Sequence, residues 1–354
     1  MTAFDVFSGK ITAPSFQDLI KPNTGAYRSE VLAGPHYGVD TAVLDLGNNL
    51  GMAVSSDPLS LIPAIGMQAS AWLSVHLTAN DLATTGFAPM YAQMVLNLPP
   101  GMAVDEFENY WLHIHRFCDE LGVAITGGHT GLIQGQHSTV SGAGTMFLTA
   151  PLDKILVSSG AKPGDLVVLT KEAAMTSTSI LAMSFPQTVI NKLGREVYDT
   201  ACENFYRTSS LPEALLAREV LEPYQELKAM HDVTEGGVLG AILEMAEASG
   251  CTVQVNNDAL PIGYSQRQIA SLFNIDPRFS VGAGSMVMAV KRGKEDILLR
   301  RLHAVGISAA VVGEFTAKPS TNVIIEDGEA KPLAFVGPDP YWEAFFQAYR
   351  ANWK

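Results

Sequence analysis

The sequence predicts an α+β chain of two domains, and three observations carry that prediction. Segments with strand and helix periodicity follow one another without strict βαβ alternation, which disfavours a doubly wound sheet. A stretch rich in turn residues, 150–164, contains Pro151, Ser158-Ser159-Gly160 and Pro163-Gly164 and divides the chain; the expected domains are 1–155 and 156–354. Finally, 354 residues of which 47 % are hydrophobic are enough to fill two ordinary cores.

The elements follow in order. Residues 1–39 are polar and turn-rich, with Pro14, Pro22, Gly25, Gly34, Pro35 and Gly38, and read as an arm with a short helix at 15–20. Strands at 41–46 and 50–55 flank Gly47-Asn48-Asn49, a hairpin signal. Asp40 precedes the first strand and Asp57 follows the second, so the open end of the hairpin brings them near one another. A helix at 64–83 carries Ile65, Ala69, Trp72, Val75 and His76 on a helical period and ends near Asn80-Asp81. A strand at 90–98 and a helix at 104–121 follow, the latter with Phe107, Trp111, Ile114 and Cys118 toward the core. A short strand at 122–126 leads into Thr126-Gly127-Gly128-His129-Thr130, read as a glycine-rich turn, and a strand at 139–149 closes the first half.

The second half opens with a strand at 165–170 and helical signals over 176–220, where Pro212 favours a helix start. His231-Asp232-Val233-Thr234-Glu235-Gly236-Gly237 then runs into a helix at 238–249. Val238, Ile242, Met245 and Ala246 mark its buried face, and Gly250 supplies the left-handed terminus. Thr234 and Glu235 are placed to cap its first turn. Its N–H groups and dipole then point toward His231 and Asp232; spacing alone fits a merely capped, packed helix somewhat better than an anion site. A strand (252–256), helix (266–273), strand (285–290), helix (294–304) and strand (309–315) follow, and strands 322–326 and 331–334 pair across Asp327-Gly328.

Composition narrows the function. A net charge of −13 argues against broad nucleic-acid or anionic-membrane binding, yet leaves room for a small anion held through a metal ion. Cys118, Cys202 and Cys251 form neither a CxxC pair nor a disulfide framework. The first twenty residues, with Asp5, Lys10 and Asp18, lack a signal-peptide core, and a cytoplasmic protein is expected. There is no Walker A loop, no GxGxxG and no Gly-x-Ser-x-Gly elbow. His129 and His137 lack further ligands nearby, and His113 and His115 face different ways on their helix, so a zinc site is rejected. Asp40, Asp57, Asp81 and Asp232 all lie near element ends, where aspartates either cap and turn the chain or hold magnesium together with phosphates. Gly127–Thr130 can cradle a phosphate on backbone N–H groups, a weak signal taken alone.

Five motifs occur in a fixed order: Gly38-Val39-Asp40-Thr41-Ala42-Val43, Ser56-Asp57-Pro58, Asn80-Asp81-Leu82-Ala83 with Gly86-Phe87-Ala88-Pro89, Gly127-Gly128-His129-Thr130, and His231–Gly237. Together, over roughly residues 15–315, they resemble the PurM-like (aminoimidazole ribonucleotide synthetase) superfamily, and within it the HypE-like, AIR synthase-related group. The resemblance implies an N-terminal α/β domain forming a barrel across a homodimer and a C-terminal α/β sandwich domain. It implies ATP and Mg2+ as cofactors, with phosphorylation of an oxygen, sulfur or selenium species. Asp40, Asp57 and Asp81 would hold magnesium, Asp232 would reach in from the second domain, and Asn80 with Gly127, Gly128, His129 and Thr130 would contact phosphates. Lys10, Lys21 and Arg28 of the arm are candidates for the γ-phosphate, although solvated surface charge explains them better.

Departures qualify the transfer. Val39 replaces the first acid of the usual Gly-Asp-Asp pair, and His129 stands where many relatives carry an acid. No cysteine follows Cys251, so the terminal cysteine that receives the carbamoyl group in HypE has no counterpart in the residues 348–354. The resulting expectation is an ATP- and magnesium-dependent enzyme acting on a small acceptor. The alternatives are the purine cyclo-ligase, a thiamine-monophosphate-type kinase, or a nucleotide-binding accessory that assists maturation of a partner protein without turnover.

Overall fold

The structure is a computed structural model describing residues 9–135, 140–318, 320–335 and 337–354. Asp5, His137 and the start of the strand expected at 139 lie outside them. A one-turn helix, α1 (Ala13–Ser15), continues into a π turn (Phe16–Ile20), where the short helix of the arm was expected.

The first sheet is built from β1 (Val31–Ala33), β2 (Ala42–Asp45), β3 (Leu50–Pro58), β4 (Tyr91–Leu98), β5 (Ala124–Leu132) and β6 (Ser141–Pro151) in the order β1-β2-β3-β6-β4-β5. Only its β4–β5 pair is parallel. Alternation along β4 sends Ala92, Met94, Leu96 and Leu98 into the core and leaves Gln93 and Val95 outside, as expected of a sheet covered on one face. The covering helices are α2 (Gly66–Ala83) and α3 (Val104–Glu120). α3 is amphipathic and buries Tyr110, Ile114, Phe117 and Cys118. α2 is buried nearly all round because it is shared: Ala71, Val75, Ala79 and Leu82 pack on the first sheet, Ala69, Leu73 and Ala83 on the second half.

The glycine-rich turn expected at 126–130 is instead strand. β5 runs through it, with Gly128 opposite Met94 and a register irregularity near Ala92. The reason is steric: a Cβ on Gly128 would stand 1.8 Å from the Met94 carbonyl oxygen, so the glycine serves close strand pairing.

The second half holds α4 (Met175–Ser184), α5 (Pro186–Leu193), α6 (Arg195–Phe205) and α7 (Leu211–Val220), with Pro212 in the first turn of α7. β7 (Leu166–Thr170), β8 (Leu227–Asp232), β9 (Thr252–Asn256), β10 (Met286–Val290), β11 (Ala309–Thr316), β12 (Val323–Glu326) and β13 (Glu329–Pro332) form a sheet in the order β13-β12-β9-β11-β7-β10-β8. β7 and β10 are buried at every residue because both faces are covered. Val167, Leu169, Val287 and Ala289 face α8 (Gly237–Ala248), whereas Val168, Met288 and Val290 face α7 and α10 (Glu295–Ala304). α9 (Tyr264–Phe273) and a final helix, α11 (Pro340–Arg350), close the half. No described helix is long and apolar enough to cross a membrane.

α8 ends as its sequence requires. Gly250 adopts φ +68°, its N–H bonds to Glu247 and that of Cys251 to Ala246, a Schellman closure. Its start differs from expectation. Neither Thr234 nor Glu235 caps it with a side chain: the N-cap is Gly236, whose N–H goes to the carboxylate of Asp339, and the N–H of Leu239 goes to the Arg278 carbonyl. The helix start is therefore largely occupied by the protein itself.

Candidate metal and nucleotide site

Four aspartates from four elements meet where the halves join. Asp40 is placed by Gly38, which adopts φ +75° and passes so close to α8 that a Cβ would stand 2.7 Å from the Glu244 carbonyl oxygen. Asp57 lies at the end of β3, and Asp81 in the last turn of α2, where the negative end of the helix dipole disfavours a carboxylate. Asp232 ends β8, opposite Met286 of β10.

Their partners are few. The Ser55 hydroxyl donates to Asp81 at 2.5 Å and the Ser158 hydroxyl to Asp40 at 2.9 Å. Asp232 is 1 % exposed, and neither of its carboxylate oxygens has a hydrogen-bond partner. Burial of an unpaired carboxylate is costly unless it stays protonated or meets a cation. Accordingly, burial and then the neighbouring carboxylates raise both Asp81 and Asp232 well above the ordinary value. Burial also raises Asp40, against the pull of His231 and Ser158, and burial with repulsion from Glu235 brings Asp57 up to about 6.

His231 supplies positive charge beside this group. Its Nδ1 lies 2.7 Å from the Asp232 carbonyl oxygen and 3.3 Å from an Asp40 oxygen, and its Nε2 lies 3.3 Å from Glu244. Burial opposes charging the ring, but Asp40, Glu244 and Asp232 outweigh it and raise the pKa to about 9. Lys10, from the arm, pairs with Glu244 at 2.8 Å. Burial would raise Glu244, but Lys10 and His231 prevail and bring it down to about 2. Ligand atoms of Asp40, His231 and Asp232 all lie within 4.8 Å of one another. Because His231 is held as an imidazolium, the carboxylates are the better metal ligands of the set. Hard oxygen donors, including two orphaned buried ones, fit a magnesium ion.

The other expected site residues are placed differently. Asn80 is fully buried and its amide is spent: Nδ2 donates to the Thr208 carbonyl at 3.0 Å, and Oδ1 accepts from the Ser210 N–H at 2.8 Å. It fastens α2 to the second half rather than facing a phosphate. Gly127, Gly128, His129 and Thr130 are exposed on the edge strand β5. The row Asp57, Gly144, Met94, Gly128 crosses four neighbouring strands, which sets Gly128 about 14 Å from Asp57 at ~4.8 Å per step. Arg28 pairs with Glu30 on the surface.

Sequence reasoning missed the Lys10–Glu244 pair, β8 and α11. Glu244, set between Leu243 and Met245 on the buried stretch of α8, was the available signal for the first, and Asp339-Pro340, a cap followed by a helix-starting proline, for the last.

The two sheets with a carboxylate cluster where the halves join define a class of two-domain proteins of mixed helix and sheet. Residues 38–147 match the N-terminal domain and residues 162–326 the C-terminal domain of AIR synthase related proteins, and the chain belongs to that family, in its PurM-like, HypE-like group. It is 29 % identical over 257 residues to a hydrogenase expression/formation protein of Methanocaldococcus jannaschii, covering 72 % of each chain. It is 26 % identical over 261 residues to the carbamoyl dehydratase HypE of Escherichia coli, covering 71 % of each. The fold is that of a hydrogenase maturation protein HypE solved in complex with ATP (TM-score 0.68, 20 % identity, 95 % of this chain and 98 % of that one). It is likewise that of a solved HypE–HypF complex (TM-score 0.68, 17 % identity, 84 % of this chain and 93 % of that one).

Proposed function

We propose that this protein is an ATP- and magnesium-dependent enzyme that phosphorylates or activates a small acceptor. The observation that carries the reading is the pair of buried, unpartnered oxygens of Asp232 beside three further aspartates. Asp40, Asp57, Asp81 and Asp232 would hold magnesium, and Gly127–Thr130, along the same sheet, would meet phosphate oxygens through backbone N–H groups. Magnesium bound there supplies neutralisation of phosphate charge, the main need of phosphoryl transfer. The chain's own residues then position: His231 and Lys10 balance Glu244, and His231 orients Asp40.

The outer face of the first sheet, with Gln93 and half-exposed Val95, is the surface through which two copies would associate, and the division at 155/156 separates the two domains. By analogy with the HypE–HypF assembly, a maturation partner protein is part of the same proposal.

The test is calorimetric titration with a non-hydrolysable ATP analogue, with and without Mg2+, followed by an assay of ADP release. Magnesium-dependent binding with turnover upholds the proposal. Binding without turnover replaces it with the accessory role, and no binding by the wild type refutes it.

A further inference from the structure

Residues 327–354 lie beyond the segment that matches the family, and their helix α11 docks by burying Tyr341, Ala344 and Ala348 beside Phe185 and Phe273. The beginning of α11 does something more. Asp339, itself 3 % exposed, spans two helix starts with its two oxygens and also faces the Val281 backbone. Oδ1 accepts the Tyr341 N–H at 2.9 Å and caps α11; Oδ2 accepts the Gly236 N–H at 2.8 Å, at the N-cap of α8. One carboxylate thus closes two helix starts 103 positions apart. One turn on, Trp342 Nε1 donates to Glu235 Oε1 at 3.2 Å, while Glu235 Oε2 accepts the backbone N–H of Lys10. Phe335 stacks with Phe279 and flanks Gly236, where an added Cβ would lie 3.3 Å from its ring.

The turn that receives these contacts needs them. Gly236 and Gly237 both have positive φ, α8 has no side-chain cap of its own, and two successive glycines carry the largest backbone freedom available. Asp232 makes no side-chain hydrogen bond, so its direction rests on the backbone to either side. Pairing with β10 fixes the side that precedes it. On the side that follows, the Val233 N–H goes to the Ser285 carbonyl and the Gly237 N–H to the Thr234 carbonyl, while the Gly236 N–H between them is held by Asp339 alone.

We propose that Asp339 and Trp342 are positioning residues: they clamp the 233–237 turn so that Asp232 stays aimed at the metal site, and through Glu235 they hold the N-terminal arm over it. The two ends of the chain are thereby tied to one turn, and Lys10 reaches Glu244 because its own backbone is held by Glu235. The functional half of this proposal rests on the metal site proposed above; the structural half does not.

Two substitutions separate the clamp from the fold. Asp339→Ser keeps a good N-cap for α11 but is too short to reach Gly236. Trp342→Phe keeps the apolar ring and removes the bond to Glu235. Amide hydrogen exchange is followed in peptides covering 233–240 and 9–14, with Mn2+ alone titrated by calorimetry or electron paramagnetic resonance. In Asp339→Ser, exchange over 233–240 rises about tenfold or more while peptides from α11 stay protected, and Mn2+ affinity falls about tenfold. In Trp342→Phe, exchange rises over 9–14. Unchanged exchange over 233–240 in Asp339→Ser overturns the clamp. Tighter Mn2+ binding by that variant also overturns it, because Asp339 would then obstruct the site. Absence of Mn2+ and nucleotide binding in the wild type defeats the functional reading while leaving the exchange result to judge the clamp.

Discussion

Asp232→Asn is the perturbation whose sign separates a metal ligand from a structural aspartate. In a structural role the carboxylate would be hydrogen-bonded, and its replacement would destabilise the protein. Asp232 instead has two unpartnered oxygens at 1 % exposure, with Asp40 and Asp57 adding repulsion. Holding it ionised without a cation at pH 8 costs several kcal/mol, of the order found for isolated buried charges. An amide in its place still lacks partners, which costs about 1–3 kcal/mol. The net expectation without metal is a variant more stable than wild type by about 1–3 kcal/mol, or about 2–4 °C in Tm for each kcal/mol in a unit of this size. Adding Mg2+ reverses the order: a cation at about one hundred times its Kd adds ~2.7 kcal/mol to the wild type, whereas the variant gains little. Thermal denaturation at pH 8 with chelator and then with millimolar Mg2+ or Mn2+ reads both terms. A variant that melts lower in chelator and gains as much from the cation as wild type would refute the reasoning.

Three further outcomes follow from the same geometry. Asn80→Ala removes two hydrogen bonds from a fully buried amide and costs about 2–4 kcal/mol in denaturant titration, while the folded variant keeps its nucleotide Kd within about threefold; normal stability with a large loss of affinity would return Asn80 to the phosphate site. Gly237→Ala places a Cβ 2.6 Å from the Arg278 carbonyl oxygen at φ +63°, and is expected to cost ~3 kcal/mol or more, seen as a lowered Tm. As to pH, the folded-state values of Asp57, Asp81 and Asp232 lie above the unfolded one, so the native state holds more protons and metal-free stability falls as pH rises from about 4. For Asp57, with a value of about 6, the loss is ~3 kcal/mol across that window. His231, raised to about 9, adds stability that is complete below its unfolded value of 6.5 and disappears as pH passes 9. The increment in Tm from Mg2+ therefore grows between pH 5 and 8, and an increment independent of pH would contradict the assignment of the aspartates.

Much of this was legible in the chain because periodicity and turn chemistry act locally. The alternation in β4, the apolar stripe and terminal Gly250 of α8, and the hairpin flanked by Asp40 and Asp57 each follow from a short window of residues. The convergence of four aspartates does not: it depends on Gly38 meeting α8 and on α2 being shared between both halves, which are long-range facts. The same limit explains the errors. Gly127-Gly128 looks like a turn until a partner strand is placed where a side chain would be, and Asn80 looks free until Thr208 and Ser210 arrive from the other half. Thr234 and Glu235 resemble a capping pair, yet a carboxylate 103 residues away takes the Gly236 N–H, and Glu235 turns to Lys10 and Trp342.

The central claim is a metal–nucleotide centre assembled from both halves, and the direct measurement is calorimetric titration of an ATP analogue into wild type, Asp57→Asn, Asp81→Asn and Asp232→Asn with Mg2+ present. Binding by the wild type that disappears with chelator and weakens at least tenfold in each variant, including the one from the second half, is the predicted result. Equal binding by all four proteins, or none by the wild type, would contradict it.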